Sequence, residues 1–402
     1  LQKFVWISLF FSRKKSRLLI QDLRKMDDRD VDHIGRVSES IQRIPPDKLD
    51  DLHYKLNHFS EYFHWGESLG EGSFGKIYRI YSIDNPQESY AIKLFPLREL
   101  DEVRFEAIQH EASITDEFII PYVVTYYGCG PIYNFTPDNS VLTHNKHKMS
   151  NEYYGILMEY IPGQNLEEIR ESHDNNLDFF DECFILELMR QTLIGLIGLH
   201  SLGLAHRDIK AENIMFDGHN IKIVDLGLSC RCSGSEHQDY SCRDRKGTPL
   251  YMPPEAFLQK EIGLSSIQAS DIWAFGVTFF YLIYAVYPYD ADDFETFVDK
   301  LLQNDRTAVP DPKDIQMENA QYIIELALQP IDQRPTAKEL LQEVYILLDE
   351  LEVSDNTDED DGADEERDVE DGTYEERDVE EGTEEETEEE TEEGTEEESD
   401  IE

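Results

Sequence analysis

Three groups of residues in this chain have types and spacings that can do chemistry. Asp225 ends an apolar run in Val224–Cys232, VDLGLSCRC, and its carboxylate suits a hard cation. Just beyond it, Cys230, Cys232, His237 and Cys242 read C-x-C-x4-H-x4-C. This is one residue short of a zinc-knuckle spacing, with ligand types that suit tetrahedral zinc. The short first spacing strains that geometry, so loop variation is the preferred reading and Zn2+ the minority one. Upstream, Gly70-Glu71-Gly72-Ser73-Phe74-Gly75 is G-x-G-x-x-G. Dinucleotide-binding chains use that pattern to open a helix. Here Lys76-Ile77-Tyr78-Arg79-Ile80-Tyr81 alternates and reads as a strand. A glycine loop between antiparallel strands can fold over a triphosphate, because no Cβ keeps its backbone from the phosphates. An ordinary Gly-rich hairpin is the plain alternative. Lys93, in Tyr90-Ala91-Ile92-Lys93, would reach beneath that loop to the α- and β-phosphates. It needs a carboxylate partner, for which Glu106 and Glu111 on the next helical stretch both qualify.

The elements that must position these groups follow from periodicity. Residues 27–62 are charged and polar around Pro45-Pro46 and read as a short helix or linker. From Phe63 the pattern is strand-like, with a turn at Asp84-Asn85-Pro86. Phe105, Ile108 and Ala112 have helical spacing. Residues 129–152 are turn-rich and precede an apolar strand over Tyr154–Tyr160. After Pro162-Gly163, Leu186, Met189, Leu193, Leu196 and Leu199 recur at helical spacing, and helical segments dominate again from Asp271 to about Leu351. A small strand-rich lobe thus precedes a larger helical one.

The 402 residues allow an ample core. Of the net charge of −51, roughly half falls on Ser354–Glu402, where Arg367 and Arg377 are the only cations. That tail repeats DGADEERDVE and DGTYEERDVE, then decays to EGTEEETEEE. It has too little apolar surface to offset ordering and is expected to be disordered. Thr383, Thr387 and Thr395 each precede three glutamates, and Ser399 precedes Asp400, which resembles acidophilic phosphorylation sites; a solvating extension is the preferred reading over an arm for basic proteins. No long basic run offers a surface to nucleic acid. No apolar run approaches the ~20 residues that span a bilayer. Five cysteines, an odd and sparse count, argue against a disulfide framework and for a reducing, cytoplasmic or nuclear location. The chain starts at Leu1 and its first Met is Met26; residues 1–25 are expected to lie upstream of the native start or to form a real extension.

His206-Arg207-Asp208-Ile209-Lys210-Ala211-Glu212-Asn213 decides among these readings. With the glycine loop, A-I-K, a helix Glu, D-x-G and P-P-E in order, the chain resembles the eukaryotic protein kinases of Ser/Thr type over roughly residues 63–350. The resemblance implies an α+β bilobal protein kinase fold, with an N-lobe over 63–160 and a mainly helical C-lobe over 161–350. Residues 1–62 would be an N-terminal extension and 351–402 the disordered acidic tail. It implies transfer of the γ-phosphoryl of MgATP to protein Ser/Thr hydroxyls. Asp208 matches the catalytic base and Lys210 the lysine that neutralises the γ-phosphoryl. Asn213 and Asp225 match the magnesium ligands. Glu111 has the better spacing for the partner of Lys93. Leu69, Gly70, Glu71, Gly72, Ser73, Phe74, Gly75, Lys76 and Ile77 match the loop over the nucleotide. Ile77, Ala91 and Met215 match the adenine sandwich, Glu159 and Tyr160 the hinge, and Met158 the gatekeeper.

Gly247–Glu255 resembles the peptide-binding segment, with Pro253 in place of Ala, and Glu255 is expected to pair with Arg334. Asp271–Gly276 resembles the buried helix that supports the catalytic loop. Lys210 and Thr248 favour Ser/Thr over Tyr acceptors. Leu226 stands where relatives carry Phe, a packing position. Ser229, Ser233, Ser235, Tyr240 and Ser241 are candidate activation phosphosites, and Asp244 is a candidate phosphate mimic. A nucleotide-binding pseudokinase scaffold with an acidic interaction tail is the alternative reading.

Overall fold

The first described segment, expected as a short helix or linker, holds four elements, the last a single helical turn over Phe59–Tyr62. A 3-10 turn over Val37–Ser40 leads to a two-residue strand, β1 (Gln42–Arg43), and a helix, α1 (Pro46–Asn57). Pro46 suits the first helical turn because its missing N–H would be unbonded there anyway. Asp47 in the first turn and Lys55 in the last complement the helix dipole. Leu49, Leu52 and Leu56 are its buried face. The computed structural model describes residues 37–72, 75–115, 118–132, 153–173, 180–231, 246–258 and 264–360.

Next come β2 (Phe63–Gly72), β3 (Gly75–Ser82), β4 (Ser89–Pro96), α2 (Glu102–Ser113), β5 (Phe118–Ile119), β6 (Tyr126–Ile132) and β7 (Tyr153–Glu159). The main sheet is antiparallel throughout, in the order β2-β3-β4-β7-β6. Directly opposed residues share a face of a sheet. Ile77 opposes Lys93, and Ala91 opposes Met158, so all four point to one side. The other side of β4 carries Tyr90, Ile92 and Leu94, which pack with Ile80, Leu157 and Phe63 and with Leu52, Leu56 and Phe59 from the N-terminal segment. Both faces of β4 are therefore buried, one by α2 and the helical lobe, the other by α1. Trp65 stacks on Phe59 at 4.4 Å in this outer core.

The same segment reaches further. Val37 belongs to the large core of the helical lobe, β1 pairs with β5, and Arg43 and Lys48 lie over the rings of Phe118 and Tyr127, each at 5.4 Å. His53 fills the space beside Gly128, where an added Cβ would sit 2.0 Å from its ring; Gly128 also has φ +133°. Residues 37–62 thus run from the helical lobe across the outer face of the sheet.

The helical lobe begins with β8 (Gln164–Asn165) and α3 (Leu166–Ser172), whose start is a reciprocal cap between Asn165 and Glu168. The central helix α4 (Glu182–Ser201) is long and apolar enough to cross a membrane, but 83% of that stretch is buried inside the lobe, as in a core helix. Short strands β9 (Leu204–Ala205), β10 (Ile214–Phe216), β11 (Ile221–Ile223) and β12 (Cys230–Arg231) line its cleft edge, and α5 (Leu264–Tyr284), α6 (Phe294–Gln303), α7 (Glu318–Ala327) and α8 (Ala337–Asp360) complete it. The expected order of a strand-rich lobe and a helical lobe is what the structure shows. Helix α8 continues to Asp360, so the first ten residues of the expected acidic tail are helical. The rest of that tail, and its expected disorder, lies outside the described residues.

Candidate active site

Lys93 is the centre of the first cluster. Its side chain is 5% exposed, and Nζ lies 2.8 Å from Glu111 Oε1 and 3.1 Å from Asp225 Oδ1. Helix α2 delivers Glu111; its start is capped by Asp101, whose carboxylate accepts the Arg104 N–H at 2.8 Å. Glu106, the other candidate, is exposed. Burial alone would lower the Lys93 pKa, but Glu111 and Asp225 outweigh it and hold the ammonium above its usual range. Burial likewise pulls Asp225 upward, yet Lys93 draws it below the usual carboxylate value. Asp225 sits in a left-handed conformation, φ 62° and ψ 74°, a strained position for a residue with a Cβ. Its side chain is 43% exposed, so the carboxylate edge away from Lys93 opens to the cleft.

Asp208 organises the second cluster. Oδ1 accepts the Thr248 N–H at 3.1 Å and its hydroxyl at 2.8 Å. Oδ2 accepts Asn213 Nδ2 at 3.0 Å and lies 3.3 Å from Lys210 Nζ. Nζ also donates to Thr248 Oγ1 at 3.2 Å. Asn213 spends its amide nitrogen on Asp208, so its Oδ1 is the atom available to a cation. The two clusters are tied together: His206 Nε2 donates to Val224 O at 3.0 Å, and Val224 N donates to Asn213 O at 2.9 Å. His206 Nδ1 accepts the Asp208 N–H, which assigns the Nε2–H tautomer. Beneath lies Asp271, fully buried, accepting from His206 N, Arg207 N and His200 Nε2 at 2.7–2.9 Å. Burial works against its charge, but His200 and the backbone donors outweigh it and keep its pKa below the ordinary 3.8.

The remaining expected residues form the wall above. Ala91 and Met158 are buried, Ile77 and Met215 partly so, and Leu69 is 41% exposed at the rim. Gly70 and Lys76 are in the paired strands β2 and β3. Ser73 and Phe74 lie outside the described residues, and Glu71 and Gly72 are described by backbone alone. Gly75 has a reason the phosphate argument did not supply: a Cβ there would stand 2.4 Å from the Leu94 carbonyl oxygen. The Glu159 N–H is taken by Thr125 O at 2.9 Å, and its carboxylate by Lys222 at 3.0 Å and Thr125 N at 3.1 Å. It braces the connection between lobes. Arg79 lies over the Tyr160 ring at 3.9 Å.

Two expectations about the segment after Asp225 change. Ser229 is 4% exposed and its hydroxyl donates to His206 O, so it is not a surface acceptor for phosphate. Cys230 is buried and disulfide-bonded, while Cys129 and Cys183 are not in disulfides. A disulfide sulfur has no thiolate to offer zinc, and Cys230 is bridged despite the sparse cysteine count. Cys232, His237, Cys242, Asp244 and the other phosphosite candidates lie outside the described residues. Arg334 pairs with Glu255 as expected, in a bidentate contact of 2.7 and 3.2 Å. Sequence reasoning missed Tyr126, which joins Glu111 and Leu226. No local pattern marks it, because its partners are 15 and 100 residues away.

Residues 63–346 match the protein kinase domain family. The serine/threonine-protein kinase pakH of Dictyostelium discoideum is 34% identical over 213 residues, 52% of this chain and 35% of that protein. The mitogen-activated protein kinase kinase kinase ANP1 of Arabidopsis thaliana is 25% identical over 289 residues, 70% of this chain and 39% of that protein. The serine/threonine-protein kinase shk2 of Schizosaccharomyces pombe is 30% identical over 238 residues, 58% and 35% respectively. The matched region spans little more than a third of each of these relatives.

Proposed function

The chain belongs to the protein kinase domain family, and from that premise we propose that it transfers the γ-phosphoryl of MgATP to Ser and Thr hydroxyls of proteins. The observation that carries this reading is the pair of intact clusters, Lys93–Glu111–Asp225 and Asp208–Lys210–Asn213–Thr248, facing one cleft. The donor set fits magnesium. The Asp225 carboxylate and Asn213 Oδ1 are hard oxygen ligands, and Mg2+ is ordinarily held by one or two such groups together with substrate phosphates and water. Among the described residues no cluster of three or more His, Cys, Asp or Glu forms a metal cage, and this ion does not require one. Bound there, it would neutralise charge on the phosphates.

The protein's own groups would do the rest. Lys93 anchors the α- and β-phosphates while Glu111 fixes it. Asp208 accepts the acceptor hydroxyl's proton. A carboxylate has about four acceptor sites, and in this structure Asp208 meets four polar groups. One must leave for the substrate. Lys210 at 3.3 Å is the longest of the four, and its transfer from Asp208 to the γ-phosphoryl would free the base and neutralise the migrating group together. The Thr248–Lys210 bond supports Ser/Thr acceptors over Tyr.

The test is phosphorylation of a Ser/Thr peptide library by the full chain with MgATP. Asp208→Asn is expected to lower kcat by roughly 10²–10⁴-fold, the usual worth of a general base, with nucleotide still bound. Wild-type activity no greater than that of Asp208→Asn would overturn the reading and favour a nucleotide-binding scaffold. For the acidic tail we propose, as a second reading beside a solvating extension, that its charge engages basic proteins.

A further inference from the structure

Tyr126 begins β6 and is 3% exposed. Its phenolic oxygen accepts the backbone N–H of Leu226 at 3.2 Å. Its own proton points to Glu111 Oε1 at 3.5 Å, a long contact with the same oxygen that takes Lys93. One hydroxyl therefore touches both the carboxylate that anchors Lys93 and the residue after Asp225. We propose that Tyr126 is a positioning residue for phosphoryl transfer, its hydroxyl locking the Asp225–Leu226 turn against the Lys93–Glu111 pair.

The physical case has three parts, and it rests on the kinase reading above. Asp225 is held in a left-handed backbone conformation, which persists only where surrounding contacts over-determine it. The Leu226 N–H is buried, and a buried donor without a partner costs as much as a lost hydrogen bond, so the turn would have to move to satisfy it. Leu226 is wholly buried; its side chain holds the turn by non-directional packing, and the hydroxyl supplies a directional tether. Burial, with Glu111 and Asp225 nearby, drives the Tyr126 pKa well upward, so the phenol keeps the proton it offers Glu111. Glu111 Oε2 also lies 3.1 Å, and Asp225 Oδ1 3.2 Å, from where a Cβ on Gly227 would stand. The turn and the helix carboxylate are thus already close-packed, and loss of the tether would be felt at Asp225.

Tyr126→Phe keeps the ring and removes only the oxygen. In the full chain, kcat on a Ser/Thr peptide is expected to fall about three- to tenfold, the worth of one hydrogen bond. KM for the peptide should stay within twofold, and the Mg2+ concentration for half-maximal rate should rise. Hydrogen exchange of a fragment covering 223–229 is expected to quicken at least threefold, with the melting temperature close to wild type. Unchanged exchange in that fragment overturns the proposal, whether or not the wild type turns over. So does unchanged kcat in an active enzyme, or faster exchange spread evenly over the chain with a matching fall in melting temperature. A wild type no more active than Asp208→Asn instead overturns the kinase reading, and the exchange measurement still decides the role of Tyr126.

Discussion

A carboxylate with no water around it survives as an anion only if donors replace its hydration, and Asp271 shows how specific that replacement is. It accepts from two consecutive backbone N–H groups, at His206 and Arg207, and from His200. Hydrogen bonds to a buried charge are worth about 1.5–3 kcal/mol each, so Asp271→Asn is expected to lower stability by at least ~2 kcal/mol at neutral pH. The sign of the pH dependence follows from its depressed pKa. The contribution is complete above the ordinary value of 3.8 and is lost as pH falls through the lower folded value. Thermal melts of wild type and variant should therefore stay apart down to about pH 5 and converge at more acid pH. The side-chain groupings at this scale were largely readable: Lys93 with Glu111, Asp208 with Lys210 and Asn213, and Glu255 with Arg334. Tyr126 was not, because a hydroxyl in an apolar strand looks like packing until the fold brings its partners to it.

The element that most changes the picture is α1. The segment before Phe63 has no catalytic signature, and its charges invite reading it as a linker. A signal was nevertheless present: Tyr90-Ala91-Ile92-Lys93-Leu94-Phe95 is almost continuously apolar, and a strand of that kind needs cover on both faces. Local pattern cannot say which segment supplies the cover. Leu56 is 1% exposed in the outer core, so Leu56→Ala should cost about 2–5 kcal/mol by cavity formation, measured by denaturant unfolding. A chain beginning at Phe63 would lose the whole layer and should unfold at a lower temperature than the full chain. Gly128→Ala, which sets a Cβ against His53 and strains a positive φ, should reproduce part of that loss without deleting anything. If the shortened chain melts with the full one, α1 is an ornament rather than a layer of the fold.

At the scale of the whole molecule, charge and core are segregated. Among the described residues the large core reaches Leu348 and Leu351, and the sequence beyond carries roughly half of the net charge of −51. A stop after Asp360 should therefore leave the melting temperature within ~2 °C, since surface changes away from packed residues are usually small. The same truncation should abolish capture of polylysine, an association that in the full chain weakens as added salt shortens the Debye length. Composition disclosed this division directly; it did not disclose that α8 carries the helix on to Asp360. The arrangement of aromatic residues adds a practical consequence. Trp65 is stacked on Phe59 in the outer core, Trp273 stacks on Tyr289 in the helical lobe, and Trp6 completes the set of three. With Trp6 and Trp273 replaced by Phe, the emission of Trp65 becomes an optical reporter of whether α1 is seated. Undocking would release the indole from Phe59 into water, and its fluorescence would shift to the red without any added label.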